Sequence, residues 1–348
     1  MTTKTAMPGA SASAAALQEY LLQGVSRTFA LTIPQLPNGL NEAVANGYLL
    51  CRIVDTIEDD PALSAEQKRQ IAQQYVQVVA GESDAQAFAQ TLAPLLSGAT
   101  LPAEHELVLL TPEVIRITHS LTDPQREALT HCVRVMAEGM IYYQEQDTSK
   151  GLATLAEMET YCYYVAGVVG EMLCKLFCAY SPQIELQRDE LLALSVTFGQ
   201  GLQMTNILKD IWDDHARGAC WLPQDVFSRY DFDLSALEAG QNDKGFEQGL
   251  EELIGIAFHC LQQGLEYTLL IPRHETGIRK FCYWSIGMAV STLARVNRKR
   301  DFSQGKQVRI TRNNVRLTIA TGKLATRSDF LLRLLFRIAG RGLPVNGR

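Results

Sequence analysis

Proline is nearly missing from this chain. Its 348 residues include 12 prolines, and none falls within 125–181, 183–222, 224–271 or 273–343. Proline breaks helix interiors by removing a backbone donor, so tracts this long without it leave room for long helices. Strand signals are equally scarce. Apolar residues recur at intervals of three and four, as at Val133, Met136 and Met140, which is the helical period. Thr111-Pro112 and Asp123-Pro124 place a proline where a helix would begin, in the one helical turn that tolerates it. The expected class is all-α.

Other absences remove whole function classes. The 8 cysteines form no Cys-x-x-Cys pair, so they read as free, buried thiols in a reducing compartment, not as a zinc site or a disulfide frame. No phosphate-binding P-loop and no Gly-x-Gly-x-x-Gly is present. None of the 6 histidines has a glutamate three residues before it, which excludes the helix-bundle di-iron pattern. No apolar run reaches a membrane-spanning length. Tyr161 to Tyr180 comes nearest, but Glu171 and Lys175 interrupt it, so it reads as a core helix. There is no signal-peptide pattern, no nucleic-acid-binding motif, no repeat and no linker rich in Gly, Pro or Ser. A single helical domain over 15–322 is expected. A disordered lead-in over 1–14 precedes it and a tail over 323–348 follows it.

What is there is acid in two places and base in one. Asp55-Thr56-Ile57-Glu58-Asp59-Asp60 and Asn206-Ile207-Leu208-Lys209-Asp210-Ile211-Trp212-Asp213-Asp214 each hold two aspartates four residues apart. On a helix such a pair shares one face, about 6 Å apart along the axis. One such cluster reads as a solvated helix face. Two with the same spacing, each beside apolar residues, point to a bound cation that offsets the repulsion. Asp60 stands where a calcium loop needs glycine, and oxygen-only ligands suit magnesium, which often bridges carboxylates to a phosphorylated substrate. The chemistry that fits is a diphosphate held above an apolar cavity.

At this point the residues resemble a known family. Asp55 to Asp60 and Asn206 to Asp214 resemble the two aspartate-rich motifs of squalene synthases, within the wider squalene/phytoene synthase group. Ser26-Arg27-Thr28-Phe29-Ala30 is similar to that group's Ser-Arg-x-Phe element. Tyr48 and Arg52 precede Asp55 as in its Tyr-Leu-x-x-Arg-x-x-Asp. Tyr161-Cys162-Tyr163-Tyr164-Val165-Ala166-Gly167 and Trp221-Leu222-Pro223-Gln224-Asp225-Val226 resemble two further segments.

The resemblance implies an isoprenoid-synthase bundle around a central apolar cavity. It implies head-to-head condensation of two farnesyl diphosphates through presqualene diphosphate, then reduction by NADPH to squalene. Asp55, Asp59, Asn206, Asp210 and Asp214 would hold Mg2+. Ser26, Arg27, Gln203, Lys209 and Arg217 would bind substrate, with Arg217 shifted from the group's basic position. Tyr48, Arg52 and Tyr161 would be catalytic. Phe29, Val165, Val169, Leu173, Phe281 and Cys282 would line the cavity, although Ser285 replaces a proline near the last two. Arg309 and Arg312 would meet the NADPH phosphate, with Thr311 where the group carries arginine. The rival readings are a dehydrosqualene or phytoene synthase, which needs no reductant, and a non-catalytic member of the fold. The four first-choice aspartates are all present, which argues against the last.

The basic end remains. From Arg295 to Arg348 there are 14 Lys and Arg against Asp301 and Asp329. Phe330, Leu331, Leu334, Leu335 and Ile338 recur at helical spacing, with Arg327, Arg333, Arg337 and Arg341 among them. Two expectations stand: an amphipathic segment on an anionic membrane, or a final helix packed on the body. The chain is otherwise expected to be a cytoplasmic monomer, peripheral at most on the cytoplasmic face of a membrane.

Overall fold

The computed structural model describes residues 13–26, 28–239 and 243–345. The all-α expectation holds. Among the described residues the only β pairing is an isolated bridge between Leu152 and Pro223. Both proline-marked helix starts are found, at Thr111–Ser120 and Asp123–Gln144. The lead-in expected over 1–14 falls almost wholly outside the described residues. Its last two residues are ordered: Ser13 accepts from the amide of Ala16 at 3.3 Å and Ala14 opens the first helix. All eight cysteines are free and buried.

The helices of eight residues or more are α1 (Ala14–Val25), α2 (Leu40–Asp59), α3 (Ala65–Ala80), α4 (Ala85–Leu92), α5 (Pro102–Leu109), α6 (Thr111–Ser120), α7 (Asp123–Gln144), α8 (Leu155–Cys162), α9 (Val168–Tyr180), α10 (Arg188–His215), α11 (Lys244–Leu270), α12 (Thr276–Arg298), α13 (Arg312–Ala325) and α14 (Asp329–Ala339). They pack as two compact units, Met1–Glu145 with Met172–Glu185 and Gln146–Glu171 with Leu186–Arg348. The division runs through α9 and not through a linker.

In the first unit α2 is the axis. Leu49, Leu50, Ile53, Val54 and Ile57 give it a fully buried stripe, each side chain contributing about 1.5–3 kcal/mol. Asn46 lies within that core. Its amide donates to Thr118 Oγ1 at 2.6 Å and to the Val114 carbonyl at 3.2 Å, and its oxygen accepts from Gln18 at 3.2 Å. These partners offset the cost of burying an amide.

In the second unit α10 is the axis. A Cβ on Gly199 would lie 2.2 Å from the Ala166 carbonyl oxygen, and one on Gly170 would lie 2.1 Å from that of Ser195. Only glycine permits this approach of α10 to residues 163–170. There the backbone makes a π-turn, Tyr163–Gly167, a local widening that is frequent at functional sites. Leu155–Tyr180 is the one run among the described residues long and apolar enough to cross a membrane. Met158, Cys162, Val168, Cys174 and Phe177 within it are fully buried, and 44% of its most apolar window is buried in all.

Candidate active site

In the first unit the stripe of α2 beside its buried one carries the polar residues. Tyr48, Arg52, Asp55 and Asp59 follow at intervals of four, three and four, and so share a face. The Tyr48 hydroxyl donates to the Val25 carbonyl at 3.2 Å, and Arg52 donates to the Tyr48 oxygen at 3.4 Å. A second Arg52 nitrogen lies 3.5 Å from Asp55 and 3.8 Å from Glu104. Burial works against the Arg52 charge, but Asp55, Tyr48 and Glu104 outweigh it and hold the guanidinium above its ordinary range.

Burial pushes Asp55 up to about 6, Arg52 opposing it and Asp59 and Glu104 adding to it. Glu58 is pushed by burial, and by Asp59 and Asp55, to about 7. It accepts from Gln144 at 3.3 Å. Asp60 serves another purpose. It is 1% exposed and accepts from the amides of Ala62 and Ser97, each at 2.8 Å, and from the Ser97 and Thr100 hydroxyls. Burial would raise its pKa, yet these bonds hold it below the usual carboxylate range. It ties the end of α2 to the loop at 97–100.

Ser26 accepts from the Phe29 amide at 2.9 Å, which leaves its hydroxyl proton to donate. Phe29 packs against Tyr48 with ring centres 5.1 Å apart. Leu173 is half-buried. Arg27 lies outside the described residues.

In the second unit the corresponding stripe on α10 is Gln203, Asn206, Asp210 and Asp214, at intervals of three, four and four. Gln203 is half-buried and Asn206 exposed. Lys209 donates to Asn206 Oδ1 at 3.3 Å and lies 2.9 Å from Asp210 Oδ2. The other oxygen of Asp210, Oδ1, is buried with no hydrogen-bond partner. Burial pushes Asp214 up to about 6, with Arg217 opposing and Asp210 and Asp213 adding. Arg217, shifted in sequence, still pairs with Asp214.

A distant loop lies over this segment. A Cβ on Gly305 would fall 2.8 Å from Asp213 Oδ2, 2.9 Å from Asp210 Oδ1 and 3.0 Å from the Lys209 carbonyl oxygen. Four residues on, Arg309 lies 3.9 Å from Asp213. Arg312 opens α13 and is exposed, and Thr311 caps that helix by accepting from the Asn314 amide at 3.2 Å. The structure thus brings Arg309 beside the acidic segment and gives Thr311 a local task.

Tyr161, on α8, is 6% exposed and stacks on Trp221 with ring centres 3.9 Å apart and planes 5° from parallel. The Trp221–Val226 stretch sets this geometry. Asp225 accepts from the Leu155 amide at 2.9 Å at the start of α8, and Leu152 pairs with Pro223. Val165 and Val169 are half-buried, and Phe281 and Cys282 are fully buried on α12. Trp221, Asp225, Gly305 and Glu104 escaped the sequence reading as parts of the site. Trp221 and Asp225 were visible as members of a motif, whereas Gly305 and Glu104 lay in no pattern.

The donor set can be tested against magnesium. Both aspartate pairs occupy the last turns of long helices, where the helix dipole disfavours anions. The last turn of α2 holds no basic residue. Among the described residues no three His, Cys, Asp or Glu converge on one point, so neither segment is a complete protein cage. Two carboxylates per segment, with the buried unpartnered Asp210 Oδ1 in the second, fit an ion that takes its remaining ligands from phosphate and water, once Arg52, Lys209 and Arg217 turn from the carboxylates to the phosphate.

The sequence pattern of the squalene/phytoene synthase family matches residues 22–314. A squalene synthase of Schizosaccharomyces pombe is 29% identical over 331 residues, covering 93% of this chain and 68% of that protein. One of Gibberella zeae is 30% identical, covering 92% and 67%, and one of Cochliobolus lunatus is 31% identical, covering 77% and 62%. The chain thus spans about two thirds of the length of these relatives. Among solved structures, ligand-bound TcSQS has a TM-score of 0.73 at 22% identity, covering 95% of this chain and 98% of that one. A dehydrosqualene synthase with ligand has a TM-score of 0.66 at 19% identity, covering 90% and 97%. These likenesses establish the isoprenoid-synthase fold, and with the ordered motifs they make this chain a member of the squalene/phytoene synthase family.

Proposed function

We propose that the protein condenses two farnesyl diphosphates head to head and reduces the product to squalene. The reading rests above all on one observation. Two aspartate pairs with the same spacing end two long helices, and burial holds one member of each pair near 6. A fold that keeps carboxylates in so unfavourable a setting gains from an added cation.

In this reading Asp55 and Asp59 hold magnesium for one diphosphate, and Asp210, Asp214 and Asn206 hold it for the other. The bound ions supply neutralisation of the leaving diphosphate. Arg52, already oriented by Tyr48 and Asp55, offers its remaining donors to phosphate oxygens. Ser26 donates its hydroxyl proton, and Lys209 and Arg217 add charge. The first step joins two chains through a cyclopropane, with loss of one diphosphate and one proton. Tyr161 handles that proton at its phenol oxygen, its ring fixed by Trp221. In the second step the other diphosphate would leave, and NADPH would supply the hydride that gives squalene and NADP+. Arg309 and Arg312 would hold the phosphate of NADPH. Phe29, Val165, Val169, Leu173, Phe281 and Cys282 shield the cationic carbon from water.

Thr311 favours a second reading. A helix-capping threonine stands where the family's basic stretch carries arginine, which weakens the case for a dinucleotide and leaves dehydrosqualene as the alternative product. Incubation with farnesyl diphosphate and magnesium, with and without NADPH, followed by gas chromatography of extracted hydrocarbons, separates the two. Squalene formed only with NADPH supports the first reading. Dehydrosqualene formed without regard to reductant supports the second, and no turnover of farnesyl diphosphate rejects both.

A further inference from the structure

One acid of the second segment has no task in the metal reading. Asp213 stands beside Asp214 on α10, so the two side chains leave the helix about 100° apart. Two residues of the distant loop meet one oxygen of Asp213. Arg309 lies 3.9 Å from Oδ2, and a Cβ on Gly305 would fall 2.8 Å from it.

The loop that brings them is braced from within. Phe302 and Val308 are fully buried, and Phe302 stands edge-on to Trp212 with ring centres 6.3 Å apart. Gln307 accepts from the Ser303 amide at 3.1 Å and donates to the Ser303 hydroxyl at 3.3 Å. The Val308 amide donates to the Gly305 carbonyl at 3.1 Å. Arg309 follows directly, its backbone set by this brace and its side chain 54% exposed. Among the described residues Asp213 is its one ion-pair partner, and Arg312 has none.

We propose, on the reductive reading of the protein, that Asp213 is a positioning residue for the reductant. It holds the Arg309 guanidinium where the phosphate that distinguishes NADPH from NADH meets it. It serves neither the metal nor the first condensation. A long arginine side chain loses rotamer freedom when it binds, and a carboxylate that orders it beforehand lowers that cost. The exposed pair is weak, so Arg309 can turn from one carboxylate to a phosphate, whose oxygens it grips in parallel.

Calorimetric titration of the full chain with NADPH and with NADH tests this without turnover. Asp213→Asn should weaken NADPH binding about fivefold, with NADH binding and the melting temperature unchanged. Arg309→Gln should do the same, and the double variant no more than either alone, since one residue acts through the other. Asp213→Asn with Arg312→Gln should instead show the product of the two separate losses. Diphosphate release from farnesyl diphosphate without NADPH should keep its rate and its magnesium dependence in Asp213→Asn. Tighter NADPH binding by that variant overturns the proposal, because it makes Asp213 a competitor for Arg309. Equal weakening of NADH overturns it by making the loss general, and a raised magnesium requirement by giving Asp213 to the metal. If the unaltered chain makes squalene with NADPH while Asp213→Asn binds NADPH as before, this inference alone fails. If the unaltered chain binds no NADPH and makes dehydrosqualene, the reductive reading fails with it.

Discussion

Asp55–Asp60 and Asp210–Asp214 carry the same paired spacing at the ends of α2 and α10, but their surroundings are built differently. The first is organised from its own helix. Arg52, one turn back, sits 3.5 Å from Asp55, and Asp60 turns away to hold a loop. The second adds contacts from beyond its helix to the Lys209–Asp210 pair within it. Arg217 and Arg309 come from later in the chain, and the Gly305 backbone lies against Asp210 and Asp213. Spacing of four therefore marks the pair that shares a face, while neighbours decide what each remaining acid does. An acid beside a paired position can instead serve the fold, as Asp60 does by accepting from Ala62, Ser97 and Thr100.

The largest effects should come from the paired positions. Asp55→Asn and Asp210→Asn should each lower kcat by about a thousandfold, the scale of losing a main electrostatic stabiliser, with the fold intact by circular dichroism. If only one of them does so, the two segments are not equivalent in the reaction. Asp60→Asn should break the symmetry in the other direction. It should cost about 2–3 kcal/mol of stability in urea unfolding, the value of a buried charge-assisted bond, while the magnesium dependence of the surviving activity stays unchanged.

Gly305→Ala should reduce kcat/KM by roughly ten- to a hundredfold, as a displacement near 1 Å does, and raise the magnesium concentration needed for half-maximal rate. Among the described residues no glycine lies against Asp55 or Asp59, so no alanine substitution of a glycine should reproduce the effect there.

The pH dependence sharpens the comparison further. Asp55 and Asp214 have folded-state values near 6, above the usual 3.8. The unfolded chain therefore loses these protons first, and in metal-free protein the two groups become progressively destabilising between about pH 4 and 6. Added magnesium with inorganic pyrophosphate should raise the melting temperature at pH 7.5 and much less at pH 5. Asp55→Asn and Asp214→Asn should each flatten part of that difference. A magnesium response that is the same at both pH values would remove the premise. The smallest effect belongs to Arg309→Gln, which should raise the KM for NADPH about fivefold, as befits an exposed charge, and leave the first condensation alone.

How much of this could be read beforehand follows from what a helix period encodes. The stripes Tyr48–Asp59 and Gln203–Asp214 are local, so sequence spacing reveals them. The stack of Tyr161 on Trp221 spans 60 positions and the Gly305 contact spans 95 from Asp210, and no local pattern records such pairings. The π-turn at Tyr163–Gly167 was also hidden, because it widens a helix without changing its apolar spacing. In α14 periodicity identified Phe330, Leu334 and Ile338 as one apolar face but not that Leu332 and Phe336 form the face that docks. Of the two expectations for that helix, the packed one holds for the side that carries Leu332 and Phe336. Thr311 was legible only as a departure, since its capping role depends on where α13 begins.

The approach of Gly305 to the acidic segment has a consequence for engineering. Residues 300–312 and residues 206–217 should be exchanged as one block, since Gly305 and Arg309 pack against Asp210 and Asp213. A chimera that imports a relative's basic loop without its aspartate helix would pair mismatched surfaces. Swapping both together is the exchange that should yield a working hybrid.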